Sequence, residues 1–409
     1  MDGTEVVERR STRQWRHYTP ATPTHTQITD MPTSTRGTSK HRLLFVLLTG
    51  AGLMAGCNQP QNTDLQEDAA TAGAESAEAS PTEATETDDP YAAEGERRAQ
   101  AVAAQLIGTP GPTAVLTTLD GDKIDLASLH GRMPVYLKFW ATWCGPCREQ
   151  MPGFETIYQA KGDEMQVVAI NTGFTDTEDQ VRKYREALKL SMPVAIDDGT
   201  LAAVLDLRVT PQHVLIDRNG LIAYVGHKDG PELDRAIEQV LSRDGDEPAI
   251  AQADQPATAP VIAEGDLVGD FTVTLMSGDK MPLGGADAPR PRAVLFFSPW
   301  CESYLAETRP AISAQCKRYR EAVEKLAETG EVDWVALSNP LWASAQDVHD
   351  YREATGTQVP LALDPDGSIF RAFGVRQVPS VAVIDRRGTL IELLSAEDSD
   401  IAAAVAIAP

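Results

Sequence analysis

Basic side chains are in short supply. Against 60 Asp and Glu the 409 residues set only 36 Lys and Arg, a balance of −24. A chain this acidic repels phosphate backbones, which argues against nucleic-acid binding. Cysteine is scarce as well: five residues are too few for a secreted scaffold stapled by disulfides. The apolar run at 43–56 (LLFVLLTGAGLMAG) stops at 14 residues, short of the ~20 that span a bilayer. What is present is apolar material: 42% hydrophobic residues are enough for real cores and exclude disorder throughout. The length predicts two or three domains.

The apolar run follows Arg36, Lys40, His41 and Arg42 and ends at Cys57. A positive n-region, a short apolar core and small residues at its end describe an export signal. Leu53-Met54-Ala55-Gly56-Cys57 resembles the lipobox of bacterial lipoproteins, with Met54 where Leu is more usual. That resemblance implies that Cys57 is lipidated, becomes the first mature residue and anchors the chain. Forty-two residues precede the run, and Met31 would supply a conventional start. Residues 58–96 hold eleven acidic side chains and no Lys or Arg. Like charges repel and no apolar periodicity is present, so 57–100 reads as an acidic, disordered tether behind the 1–56 extension and signal.

The remainder repeats itself. Leu119-Asp-Gly-Asp-Lys-Ile124 matches Met276-Ser-Gly-Asp-Lys-Met281, and in both the glycine stands 23 residues before the cysteine of a Trp-Cys pair. Tyr184-Arg-Glu-Ala187 matches Tyr351-Arg-Glu-Ala354; Pro211 and Pro379 each precede an aspartate by six residues. This order predicts duplicated domains at 101–243 and 264–409, joined by an Ala-, Pro- and acid-rich linker at 244–263. Each copy reads as strands alternating with helices, an α/β fold with a mixed central sheet. Buried strands are expected at Val135–Trp140 and Ala293–Phe297, each followed at once by a helix.

Trp143-Cys144-Gly145-Pro146-Cys147 lies between such a strand and helix. A cysteine at a helix N-terminus meets unpaired N–H groups and the positive end of the dipole, so its pKa falls and its thiolate becomes populated. The second cysteine, three residues on, can attack a mixed disulfide. Zinc needs about two more ligands, and no histidines cluster nearby, so neither a metal nor a cofactor is expected.

The stretch from Phe139 to Pro152 (FWATWCGPCREQMP) resembles the active site of the thioredoxin superfamily, the anchored, periplasm-facing TlpA-like disulfide reductases above all. The likeness covers roughly 105–240 and, more loosely, 265–400. It implies two tandem thioredoxin-like domains and catalysis by Cys144 and Cys147. Trp143, Gly145, Pro146, Thr210 and Pro211 would support the site, with Pro211 as the family's cis-proline beside the dithiol. Lys138 stands where thioredoxin buries an acid: a cation there would favour thiolate, although a lysine that snorkels to the surface fits equally. Gln150 replaces a frequent Glu, with Glu149 one place early, leaving the proton acceptor for Cys147 open. Gln212 follows Pro211 where Thr is common. His213 is near enough in sequence to approach the site, while His130, His227 and His349 are scattered singly. The Gly-Pro dipeptide is thioredoxin's own and tilts the direction towards reduction.

In the second copy Tyr304 takes the place of the second cysteine in Trp300-Cys301-Glu302-Ser303-Tyr304. Three readings stand. The domain is degenerate and binds partners along its Pro379 edge; Cys301 acts as a monothiol; or Cys316 resolves it. Fifteen residues of straight helix span ~22 Å, beyond disulfide reach, so the last needs Pro310 to break the helix. Ser298, not Thr, lies three residues before Cys301, against peroxiredoxin chemistry. Taken together these features predict a lipid-anchored protein on the periplasmic side of a bacterial membrane, reducing disulfides of exported proteins with electrons from a membrane thiol-disulfide donor. An oxidant or isomerase, a peroxide-linked redoxin and a non-enzymatic binding lipoprotein are the alternatives.

Overall fold

The computed structural model describes residues 90–242, 260–395 and 399–408. Cys57, the apolar run and most of the expected tether and linker lie outside them. Helix α1, Pro90–Leu106, corrects one expectation: residues 90–100 are helical rather than part of the tether. Alanine-rich sequence favours helix, and Glu94 pairs with Arg98 one turn on (2.8 Å). The helix earns its stability by packing, with Ala99 and Val102 buried. Gly95 lets it approach closely, because a Cβ there would run into the His227 ring.

The first domain continues with a small hairpin, β1 (Val115–Thr117) and β2 (Lys123–Asp125), then β3 (Val135–Trp140), α2 (Gly145–Lys161), β4 (Gln166–Asn171), α3 (Glu178–Leu188), β5 (Val194–Ile196), α4 (Thr200–Val204), β6 (Gln212–Ile216), β7 (Ile222–Gly226) and α5 (Pro231–Ser242). Five strands form one sheet in the order β5-β4-β3-β6-β7. β3 runs parallel to β4 and antiparallel to β6. All six residues of β3 are buried, as expected of a central strand covered on both faces.

The second domain repeats the plan: hairpin β8 (Thr272–Thr274) and β9 (Lys280–Pro282), then β10 (Arg292–Phe297), α6 (Cys301–Thr308), α7 (Pro310–Ala327), β11 (Asp333–Ser338), α8 (Ala345–Thr355), β12 (Leu361–Leu363), α9 (Ser368–Ala372), β13 (Ser380–Ile384), β14 (Leu390–Leu394) and α10 (Ile401–Ala406). Its sheet order, β12-β11-β10-β13-β14, is that of the first domain. The protein therefore holds two tandem thioredoxin-like domains, each a mixed sheet flanked by helices. They differ after the Trp-Cys corner. α2 continues through Pro152, whereas the second domain breaks at Arg309 (φ −143°, ψ 66°) and restarts with Pro310 in the first turn of α7. Proline needs no N–H in a first turn and drives the residue before it out of helical conformation.

Among the described residues, no helix is long and apolar enough to cross a membrane, and no group of three or more His, Cys, Asp or Glu is placed to hold a metal ion.

Candidate active site

Four residues connect β3 to α2; Cys144 is the last of them, and Cys147 stands in the first turn of α2. Cys144 is the N-cap of α2, extended at φ −80° and ψ 112°. The Cys147 N–H donates to its Sγ (3.1 Å), so the sulfur occupies the place where a capping oxygen is usual. The Sγ also lies 3.3 Å from the Thr210 carbonyl oxygen, and the Thr210–Pro211 bond is cis. Cys144 and Cys147 are joined as a disulfide with Cα atoms 5.2 Å apart. Pro146 is in the first turn of α2. The Trp143 indole N–H donates to the Phe174 carbonyl (2.9 Å) and pins the corner.

Behind the corner is a buried polar network that sequence spacing did not reveal. Lys138 is 1% exposed, so it does not snorkel to the surface. Its ammonium donates to Gln150 Oε1 (3.0 Å). The same oxygen receives His213 Nε2 (3.0 Å), which therefore carries the proton. Nδ1 of His213 is then left to accept from the Tyr136 hydroxyl (2.7 Å). The Gln150 amide donates to the His227 carbonyl (3.1 Å), and His227 Nδ1 donates to the Pro211 carbonyl (2.7 Å). His227 is thus not isolated: with His213 it joins one network that runs from Lys138 to the proline beside the dithiol. Glu149 is exposed on the outer face of α2 and takes no part. Gln150, one turn beyond Cys147, is the hub. Gln212 is buried and donates to the Leu205 carbonyl (3.3 Å). No pattern in the sequence links Tyr136, His213 and His227, because they meet from β3, β6 and the bend after β7.

Burial sets the protonation of this network. Loss of hydration pushes Lys138 down to about 7, with the Asp229 carboxylate opposing the shift. Burial also drives His213 well below the usual imidazole range, helped by the charges on Lys138 and His227, and it lowers His227. A cavity of about 280 Å³, lined by Lys138, Gln150, His213 and Asp229 among others, adjoins the network.

The second domain covers this corner. The Trp143 and Trp300 rings stack with centroids 4.8 Å apart. Tyr304 presents an edge to both, and its hydroxyl accepts from the Gly145 N–H (3.0 Å). The Trp342 indole N–H donates to the Thr210 hydroxyl (3.3 Å). Arg309, at the helix break, pairs with buried Asp176 (2.8 Å) and donates to the Thr175 carbonyl (2.6 Å). Cys301 is the first residue of α6 and is disulfide-bonded to Cys316 of α7, with Cα atoms 6.3 Å apart. The break before Pro310 that this pairing needed is present, and it lets α7 fold back along α6. The Ser313 hydroxyl donates to the Glu302 carbonyl (2.6 Å) and Arg320 pairs with the Glu302 carboxylate (2.8 Å). Val378–Pro379 is cis, like its counterpart.

The AhpC/TSA family pattern matches residues 107–225. The thioredoxin-like protein YneN of Bacillus subtilis is 34% identical over 134 residues, which are 32% of this chain and 78% of that protein. The chain belongs to the thioredoxin superfamily of thiol-disulfide oxidoreductases. The thiol-disulfide oxidoreductase ResA of Bacillus cereus is 32% identical over 138 residues, 33% of this chain and 78% of ResA. The crystal structure of StoA from Bacillus subtilis is 26% identical, covering 31% of this chain and 99% of that one, with a TM-score of 0.28.

For this oxidoreductase the lysine makes a signed prediction. Its folded-state pKa lies below that of an exposed lysine, so between pH 7 and 10 the unfolded chain binds a proton that the folded chain does not, and stability rises with pH. Lys138→Met removes that dependence. Its stability relative to wild type, from urea unfolding, should fall by about 2 kcal/mol between pH 7 and pH 9. A difference independent of pH contradicts the burial of a titrating amine.

Proposed function

We propose that the chain is a lipid-anchored, periplasm-facing protein-disulfide reductase whose working centre is Cys144 and Cys147. The observation that carries this reading is the Cys144 sulfur at the N-terminus of α2, held by the Cys147 N–H and set against the Thr210–Pro211 edge. In the reduced protein those N–H groups and the helix dipole stabilise a Cys144 thiolate. The thiolate attacks one sulfur of a substrate disulfide, forming a mixed disulfide and releasing the other sulfur as a thiolate. Cys147 then attacks Cys144, so the substrate leaves with two thiols and the enzyme keeps the Cys144–Cys147 disulfide. A membrane thiol-disulfide donor returns two electrons and two protons.

Buried Lys138 supplies an ionisable group where thioredoxin has an acid, and its amine, neutral above about pH 7, is the acceptor proposed for the Cys147 proton. The backbone edge at Pro211 offers sequence-independent pairing to an extended substrate, once Trp342 and Tyr304 give way. Support for reduction as the direction comes from the Gly-Pro dipeptide shared with thioredoxin. Support for the anchor comes from the apolar run ending at Cys57 and the acidic tract after it, which would hold the domains off the membrane.

Two experiments test these parts. Insulin reduction driven by dithiothreitol should fall to background in Cys144→Ser, and activity equal to wild type would refute the enzymatic reading. Cys57→Ala should move the protein from the membrane to the soluble fraction of the expressing bacterium. Retention in the membrane fraction counts against lipidation.

A further inference from the structure

Both neighbours of Cys144 touch the corner that carries Cys301. Trp143, before it, stacks on Trp300, the residue that precedes Cys301. Gly145, after it, donates its N–H to Tyr304, one turn beyond Cys301. The two Trp-Cys corners therefore face each other, each at the start of a helix. Cys144 is 2% exposed and Cys301 is 1% exposed, so in this arrangement both cysteines are buried where the two corners meet. Each site has the other as its neighbour.

The second site has also been supplied with a resolving thiol from elsewhere. Tyr304, in the place of a second cysteine, is committed to the contact with Gly145. The break at Arg309 turns the chain so that Cys316 reaches Cys301. The α6–α7 junction is also held by Ser313 and Arg320 on Glu302.

We propose that Cys301–Cys316 is a second redox centre and the direct disulfide-exchange partner of Cys144 and Cys147. This rests on the first pair being a working dithiol. The step balances within the chain. The Cys144 thiolate attacks Cys301, forming a Cys144–Cys301 bond and expelling the Cys316 thiolate, which takes up a proton. Cys147 then loses its proton and attacks Cys144, releasing the Cys301 thiolate, which takes up a proton in turn. The first pair ends oxidised and the second reduced, a transfer of two electrons that needs no outside reagent. The second domain then stores reducing equivalents, or passes them on, when the two corners are together.

The test follows each pair in the full chain by acid quenching, alkylation and mass spectrometry after dithiothreitol is added to the oxidised protein. Opening of Cys301–Cys316 should be at least tenfold slower in Cys144→Ser than in wild type. Equal rates overturn direct exchange. A second variant, Cys147→Ser with Cys316→Ser, leaves Cys144 and Cys301 as lone thiols; dilute diamide should join them within one chain. A mixed disulfide requires Cα atoms within ~7 Å, and failure to form it while the protein remains folded by circular dichroism also overturns the proposal. Insulin reduction by wild type is measured in parallel. If it persists while exchange fails, the exchange idea alone falls; if wild type cannot reduce insulin, the reductase reading falls first.

Discussion

A strand that ends at Trp140 and a helix that begins at Gly145 leave the chain four residues in which to turn, and that turn sets the Cys144 sulfur against the Cys147 N–H. Everything else in the first domain serves this contact. β3 is buried along its whole length, so the turn begins from a fixed point. β6 lies antiparallel beside β3 and starts just after Pro211, which brings the Thr210 carbonyl to the same sulfur. Helix N-termini favour negative charge, and here that preference falls on a cysteine sulfur.

The polar network beneath the dithiol has a physical cost that bears on its role. Burying an amine in a protein core is unfavourable unless it is neutral or well partnered. Lys138 has one hydrogen-bonded partner, Gln150, and lies over the Phe154 ring at 5.3 Å. A methionine would pack there without the desolvation cost. The same network fixes the tautomers of both histidines and reaches the Pro211 carbonyl. A change of proton at Lys138 is therefore coupled by hydrogen bonds to the backbone on which a substrate would dock.

Much of the fold was legible in the sequence. Val135–Trp140 coincides with β3, and Ala293–Phe297 falls one residue short of the start of β10, because short apolar runs between turn residues mark strands well. The Trp-Cys corner was equally plain. Lys138 was not, since one lysine within an apolar strand looks the same whether it snorkels or is buried. Gln150 and His213 come from α2 and β6, His227 from the bend just after β7, and only tertiary structure brings them together. Residues 90–100 misled because acidity and alanine suit a tether as well as a helix, and packing decides between them. The Cys301–Cys316 bond stood as one of three readings for Cys301 and no more, because its reach depends on a break at Arg309, which Pro310 permits without requiring. α2, after all, runs on through Pro152. The opposition of Trp143 and Trp300 has no local signature whatever.

The most direct measurement is the reduction potential of the Cys144–Cys147 pair, obtained by equilibrating the protein with defined ratios of reduced and oxidised dithiothreitol and quantifying the free thiols by mass spectrometry. A disulfide reductase of this kind requires a midpoint near thioredoxin's, about −270 mV. A midpoint well above about −200 mV, in the range of disulfide isomerases and oxidants, would contradict it.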